Sequence, residues 1–206
     1  MAHNRLGLER IVFFSDAVFA IAMTLLVTNL KPPTASDLSA QRSLLPFLVS
    51  HLANYQAYVI SFMVLGLYWV GHHHYFRYLK RYDPILIGLN MGLLMCITFL
   101  PFPTEILEDY GNQRLSVFFY AASMAVTGFV KSLLWWYASD QHRLIHSRIR
   151  PQRIRTMTYV ALVPPVVFLG SILIIPFSPE IAEWSWILII GLLLLPKWRL
   201  FTISHS

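Results

Sequence analysis

Ser15 and Asp16 stand inside an otherwise apolar run, RIVFFSDAVFAIAMTLLVTNL from Arg10 to Leu30. A carboxylate at bilayer depth costs several kcal/mol unless it is paired or faces water, so these two side chains must turn towards protein partners. A second polar group is the histidine run His72, His73 and His74 in YWVGHHHYFRYLKR, and a third is Asn90, alone in LIGLNMGLL. Consecutive residues on a helix fan out by about 100°, so the three histidines cannot converge on one zinc ion, and no metal centre is expected. One of them is expected to face inwards as a partner for Asp16, with neutral histidine in a polar network favoured over a titrating switch. The Asn90 amide must also find a partner inside the protein. Arg10, Ser15, Asp16, His72 or His73, and Asn90 fall in the same half of their helices, which predicts one shared network. The sequence holds no Gly-rich phosphate loop, HExxH, GxSxG or CxxC, so no enzyme is expected, and the TVGYG filter is missing.

The first segment has another face. Ile21, Leu25 and Thr28 recur at i, i+4 and i+7 with Thr24 beside them, a spacing that packing alone would also produce. Asp16, Ala20, Met23 and Val27 occupy the other side, where small residues would admit a neighbouring helix.

These residues sit in a chain of 206 with 56% hydrophobic and 13% charged residues and a mean hydropathy of +0.56. That usage lies outside the soluble range and reads as a polytopic, all-α membrane protein. Six apolar segments are long enough to span: 10–30, 46–71, 84–104, 115–138, 157–176 and 182–200. No repeat or domain boundary divides them, so residues 1–206 form one six-helix unit. Pro164 and Pro165 predict a kink in the fifth segment, and Pro101 and Pro103 a stop after the third. Trp135, Trp136, Tyr137, Trp184, Trp186 and Trp198 lie near segment ends, as in an interfacial belt. The single cysteine, Cys96, allows no disulfide framework.

Orientation follows from Lys and Arg. With the N-terminus inside, the inner segments hold Arg5 and Arg10; Arg77, Lys80 and Arg81; Arg143, Arg148, Arg150, Arg153 and Arg155; and Lys197 and Arg199, twelve in all. The outer loops hold Lys31, Arg42 and Arg114 against Asp37, Glu105, Glu108, Asp109, Glu180 and Glu183. Both termini are therefore expected to be cytoplasmic. Lys131 is expected to snorkel to the inner surface. The net charge of +6 is accounted for by topology, with no nucleic-acid partner, and the basic stretch 139–156 is placed on anionic lipid headgroups.

At Arg10, Phe14, Ser15 and Asp16 the chain resembles the transmembrane protein 175 family of potassium channels, whose signature is Arg, three residues, then Phe-Ser-Asp. The following AVFAIAMTLL, the Trp69, His72 and His73 pattern, Asn90 and LPFP extend the likeness over essentially the whole chain. The resemblance implies a prokaryotic plasma-membrane channel, a homotetramer of six-helix subunits whose first helices line the pore. It assigns Ile21 to the constriction, Thr24 to selectivity, and Leu25 and Thr28 to the next pore-facing turns. Thr28 departs from the leucine of other bacterial members, which implies a wetter outer pore. The motif residues Arg10, Phe14, Ser15 and Asp16 are read in the family as a structural network with the second and third helices, which here supply Trp69, His72, His73 and Asn90. The implied permeant ion is K+, with no cofactor. A proton channel or a proton-coupled carrier is the alternative.

Overall fold

A computed structural model describes residues 2–35, 43–111 and 113–194, with side chains described from Leu6 onward to Leu192 except at Ile190. Arg5, Asp37, Arg42, Lys197, Trp198 and Arg199 fall outside the described side chains. Among the described residues the architecture is all helical: α1 (Ala2–Leu25), α2 (Leu44–Ser50), α3 (Leu52–Tyr78), α4 (Pro84–Phe99), α5 (Pro101–Tyr110), α6 (Arg114–Ser139), α7 (Pro151–Ile174), α8 (Pro179–Ser185) and α9 (Ile187–Leu194). A 3₁₀ turn, Leu26–Asn29, continues α1.

Among the described residues four apolar helical stretches are long enough to cross a membrane, Leu6–Asn29, Pro84–Tyr110, Arg114–His142 and Pro151–Ile174. The pair α2 and α3, bent by 55° at His51, makes up to a fifth. The second segment is thus broken rather than straight, and it runs on to Tyr78. The sixth, 182–200, is described only as far as Leu194. The prolines of LPFP do not stop the third segment. Pro101 takes the first position of α5, where a missing N–H costs nothing and the fixed φ suits a helix.

The α7 helix is unbroken through Pro164 and Pro165. Pro165 cannot donate to the carbonyl of Ala161, and the Ser132 hydroxyl of α6 lies 3.1 Å from that oxygen, its one hydrogen shared with the Gly128 carbonyl of its own helix at 2.8 Å. Close approach of α6 and α7 depends on Gly128. A Cβ there would lie 2.8 Å from Pro165 Cδ and 3.0 Å from Tyr68 Oη. Gly128→Ala is therefore expected to destabilise the protein by about 1–3 kcal/mol through overpacking. Gly170 has open space around it, so Gly170→Ala should be neutral or stabilising through helix propensity. Melting temperatures in detergent, compared between the two variants, check the contrast.

The core is shared by α1, α3, α4, α6 and α7, whose inward faces form one cluster, and α8 and α9 pack on its edge. Tyr120 packs on Trp186 at 4.7 Å between ring centroids, and the Trp186 indole donates to Ser171 Oγ at 2.9 Å. Trp135 stacks on Tyr75 at 4.7 Å and donates to Thr158. Trp135 and Trp186 are thus buried rather than members of an interfacial belt, whereas Trp136 and Trp184 are exposed.

Lys131 also departs from expectation. It does not snorkel: the side chain turns inwards, buried, with Nζ 4.9 Å from the Tyr68 ring centroid and 5.7 Å from that of Tyr75. Gly71 makes the room, since a Cβ there would meet Nζ at 2.7 Å. Two aromatic faces supply cation–π attraction to an ammonium that no carboxylate approaches among the described residues.

At the opposite end of the chain path, Lys31 is bound to Asp109 at 2.7 Å, and this hydrogen bond raises the Lys31 ammonium above its ordinary pKa. The Asn29 amide donates to the Pro101 carbonyl, so the end of α1 is fixed to the start of α5.

Candidate functional site: the first helix and its anchor

Which way α1 faces is decided by its apolar positions. Leu8, Ser15, Phe19, Ala22 and Leu26 are buried against the rest of the subunit, and they share one side of the helix. Ala20 and Val27, read from sequence as part of a helix-packing side, are exposed instead. The packing surface lies round from them because Phe19 and Leu26 bring more apolar area than alanine can.

Ser15 sits at the centre of that buried surface. Its hydroxyl donates to the Ile11 carbonyl at 2.8 Å and accepts from Asn90 Nδ2 at 3.0 Å. With its nitrogen turned to Ser15, Asn90 presents Oδ1 to His72 Nε2 at 2.8 Å. Nε2 therefore carries the ring proton, and Nδ1 is left as an acceptor, buried and without a partner. The imidazole is clasped by Phe76, stacked at 4.3 Å between centroids, and by Phe19 at 5.6 Å. Ser15, His72 and Asn90, brought from α1, α3 and α4, make one hydrogen-bonded line through the interior.

Asp16 is not on that line, and its partner is not a histidine. The Trp69 indole donates to Asp16 Oδ1 at 2.8 Å, making a second tie between α1 and α3. His73 lies against Trp69, 5.9 Å between centroids, with its Nδ1 unpartnered. Arg10 and Phe14 are exposed, and the Arg10 side chain makes no hydrogen bond or ion pair with the described residues. Sequence reasoning missed the pairing of Gly71 with Lys131; the signal was a lysine inside the inner part of the fourth segment with a glycine at the inner end of the second. Among the described residues no three His, Cys, Asp or Glu side chains converge on a point that could hold a metal.

Ile21, Thr24, Leu25 and Thr28 all lie on the exposed side of α1. Ile21 is 57% and Leu25 44% exposed. The Thr24 and Thr28 hydroxyls donate to the carbonyls of Ile21 and Leu25 at 2.8 and 2.6 Å. Thr28 falls in the 3₁₀ turn, where residues three apart eclipse. It therefore stands over Leu25 more directly than α-helical spacing would place it.

The sequence and the fold both have counterparts among known proteins. The profile of the TMEM175 family, described as endosomal/lysosomal potassium channel TMEM175, matches residues 10–101. A potassium channel of Streptomyces collinus is 35% identical over 155 residues, spanning 71% of this chain and 74% of the relative. The chain belongs to the TMEM175 family. A potassium channel of Chamaesiphon minutus is 34% identical over 152 residues, 72% of this chain and 74% of the relative. The human endosomal/lysosomal proton channel TMEM175 is 26% identical over 196 residues, 91% of this chain but 37% of the relative. The crystal structure of a lysosomal potassium-selective channel TMEM175 homolog from Chamaesiphon minutus superposes with a TM-score of 0.80 at 29% identity, covering 90% of this chain and 95% of that one. These relatives and neighbours are channels, not enzymes.

The Asp16–Trp69 bond gives a test of the anchor. Asp16→Ala leaves the indole N–H without its acceptor and should cost about 1.5–3 kcal/mol, the range for hydrogen bonds to charged groups. Melting temperature and the fraction recovered as assembled protein should fall, with ion preference unchanged. A variant that assembled normally but changed ion preference would move Asp16 to the permeation path.

Proposed function

We propose that the protein is a potassium-favouring cation channel of the prokaryotic cell membrane, a homotetramer in which one six-helix unit per subunit, residues 1–206, contributes its first helix to a central pore. The observation that carries this reading is the exposed stripe of Ile21, Thr24, Leu25 and Thr28 on a helix whose opposite face is locked by the Ser15–Asn90–His72 line. An anchored helix holds such a stripe in one orientation. Four copies around an axis would close an apolar ring at Ile21, and an ion crossing a dewetted neck loses hydration that it cannot recover. The ring is the gate and a modest filter. Thr24 lies one turn outward, and its hydroxyl oxygen, which donates to the Ile21 carbonyl, keeps lone pairs for a partly hydrated cation. With both termini cytoplasmic, the C-terminal end of each first helix faces the outer mouth, where its partial negative charge favours cations. Ser15, Asp16, Trp69, His72 and Asn90, tied by hydrogen bonds, serve structure in this reading; Arg10, Phe14 and His73 are assigned to the same role by the family resemblance alone.

Proton conduction is the second reading, supported by the name of the human relative. Against it stands the geometry of the polar line. It ends on the Ile11 carbonyl, and Asp16 is engaged separately by Trp69, so the hydrogen bonds do not join Asp16 to His72.

Reversal potential in planar bilayers, with K+ on one side, Na+ on the other and a subsequent pH step, separates the two. A reversal near the K+ equilibrium value is expected. One that follows pH alone would replace the cation channel by a proton pathway, and saturable pH-coupled flux without current would indicate a carrier.

A further inference from the structure

Two loops distant in sequence are fastened together at one end of the helices. Leu79 and Ile145 form an antiparallel bridge, with Lys80 N–H donating to the Leu144 carbonyl at 2.8 Å and His146 N–H to that of Tyr78 at 3.1 Å. The Arg81 guanidinium donates twice to the Arg143 carbonyl, at 3.1 and 2.8 Å. Leu79, Leu144 and Ile145 are buried beneath this join, so the outer side chains stand on a fixed base.

Those side chains are strongly basic. Arg77, Lys80, Arg81, Arg143, Arg148, Arg150, Arg153 and Arg155 are all exposed. The two acidic residues of the loops are already engaged: Asp83 caps α4 through Leu86 N–H and accepts from Tyr137, and Asp140 faces Arg143 at 3.3 Å. Lys80, Arg148, Arg150 and Arg155 have no side-chain hydrogen-bond or ion-pair partner among the described residues. Arg143 and Arg153 lie over the Tyr137 and Tyr78 rings, 4.6 and 5.6 Å to the centroids, which limits where their guanidinium groups can point. The topology rule asks only for cations near the ends of spans; it does not ask that two loops be bonded into one surface. Exposed Trp136, 56% accessible at this end of α6, marks the depth of the lipid headgroups.

We propose that this joined basic surface is a binding site for the phosphate headgroups of anionic phospholipids in the adjoining leaflet. Planar guanidinium groups pair with phosphate oxygens in a bidentate way, and the two bonded loops and the helix ends beside them offer several that are exposed. Occupancy would hold the α3–α4 and α6–α7 loops together and so brace the helices that carry His72 and Asn90.

The test uses the full chain, purified in mild detergent with equal amounts of phosphatidylglycerol and phosphatidylcholine, and counts retained lipids by native mass spectrometry. Wild type should retain phosphatidylglycerol preferentially and melt at a higher temperature when it is present. The variant Arg148→Gln/Arg150→Gln/Arg155→Gln removes only unpartnered side chains, and retention should fall about fivefold per arginine at typical surface-charge strengths. Its melting temperature in phosphatidylcholine alone should match wild type, which separates loss of the headgroup from misfolding. Arg150→Gln alone, which alters topology charge least, should show a smaller loss in the same direction. Equal retention of both lipids by wild type, or undiminished phosphatidylglycerol on the triple variant, overturns the proposal. Displacement of the lipid by millimolar inorganic phosphate would do so too, by making the surface a site for soluble anions.

Discussion

Replacing Ile21 by asparagine is expected to raise basal conductance about tenfold, the effect of lowering a barrier by about 1.4 kcal/mol. The side chain is more than half exposed on a helix that is otherwise well anchored, so the exchange disturbs little within the subunit. In a tetramer it places four amides where four branched hydrocarbons stood, and an amide holds water that isoleucine excludes. Permeation through a wetted neck no longer needs the ion to shed its shell. Selectivity should weaken in the same variant, because a hydrated ion carries less information about its size. Val27 provides the control. It is also about half exposed, in the 3₁₀ turn that continues the same helix, six residues on and on a different edge from Ile21. Val27→Asn should leave conductance within about twofold of wild type if the Ile21 edge faces the axis. Single-channel recordings of both variants decide the matter: an unchanged Ile21→Asn, or a larger effect at Val27, would turn the helix and take Ile21 out of the gate.

Length and hydropathy are enough to mark the spans, and the cost of burying Ser15 and Asn90 in hydrocarbon already demands that they meet partners, although 75 positions separate them. What periodicity leaves open is direction. Asp16 and His72 are both polar and at similar depth, yet Trp69 takes the carboxylate and Asn90 the imidazole, a choice made by helix rotation rather than by residue type. Trp135 and Trp136 differ by a single position and by about 100°, and that rotation buries one and exposes the other. Lys131 could be read as snorkelling because nothing in its own helix reveals that Gly71 leaves a space across the interface. Pro101 is ambiguous in a simpler way, since proline both ends helices and begins them. Its neighbours decide, and α5 follows at once.

Loss of the central link in the polar line should be the most damaging single change within the subunit. Asn90→Leu keeps the volume roughly constant but leaves His72 with neither ring nitrogen partnered, since Nδ1 already lacks one. Ser15 is less affected because its hydroxyl still donates to Ile11. An orphaned buried donor costs about 1–3 kcal/mol, whereas hydrogen bonds between membrane helices average nearer ~0.6 kcal/mol when the unfolded helices find other partners. The larger range applies here, because His72 is wholly buried between Phe19 and Phe76, where water has no room to replace the amide. Adding the lost Asn90–Ser15 bond, the expected destabilisation is about 2–4 kcal/mol. The second substitution makes this a sharper test. His72→Phe in the Asn90→Leu background removes the orphaned donor and preserves the ring contacts, so the double variant should regain most of the lost stability, although each single variant is destabilised. Unfolding in mixed micelles, followed as a complete double-mutant cycle, measures the coupling. If the double variant were as unstable as the sum of the singles, the hydrogen bond between His72 and Asn90 would not be what holds the first helix against the third and fourth helices.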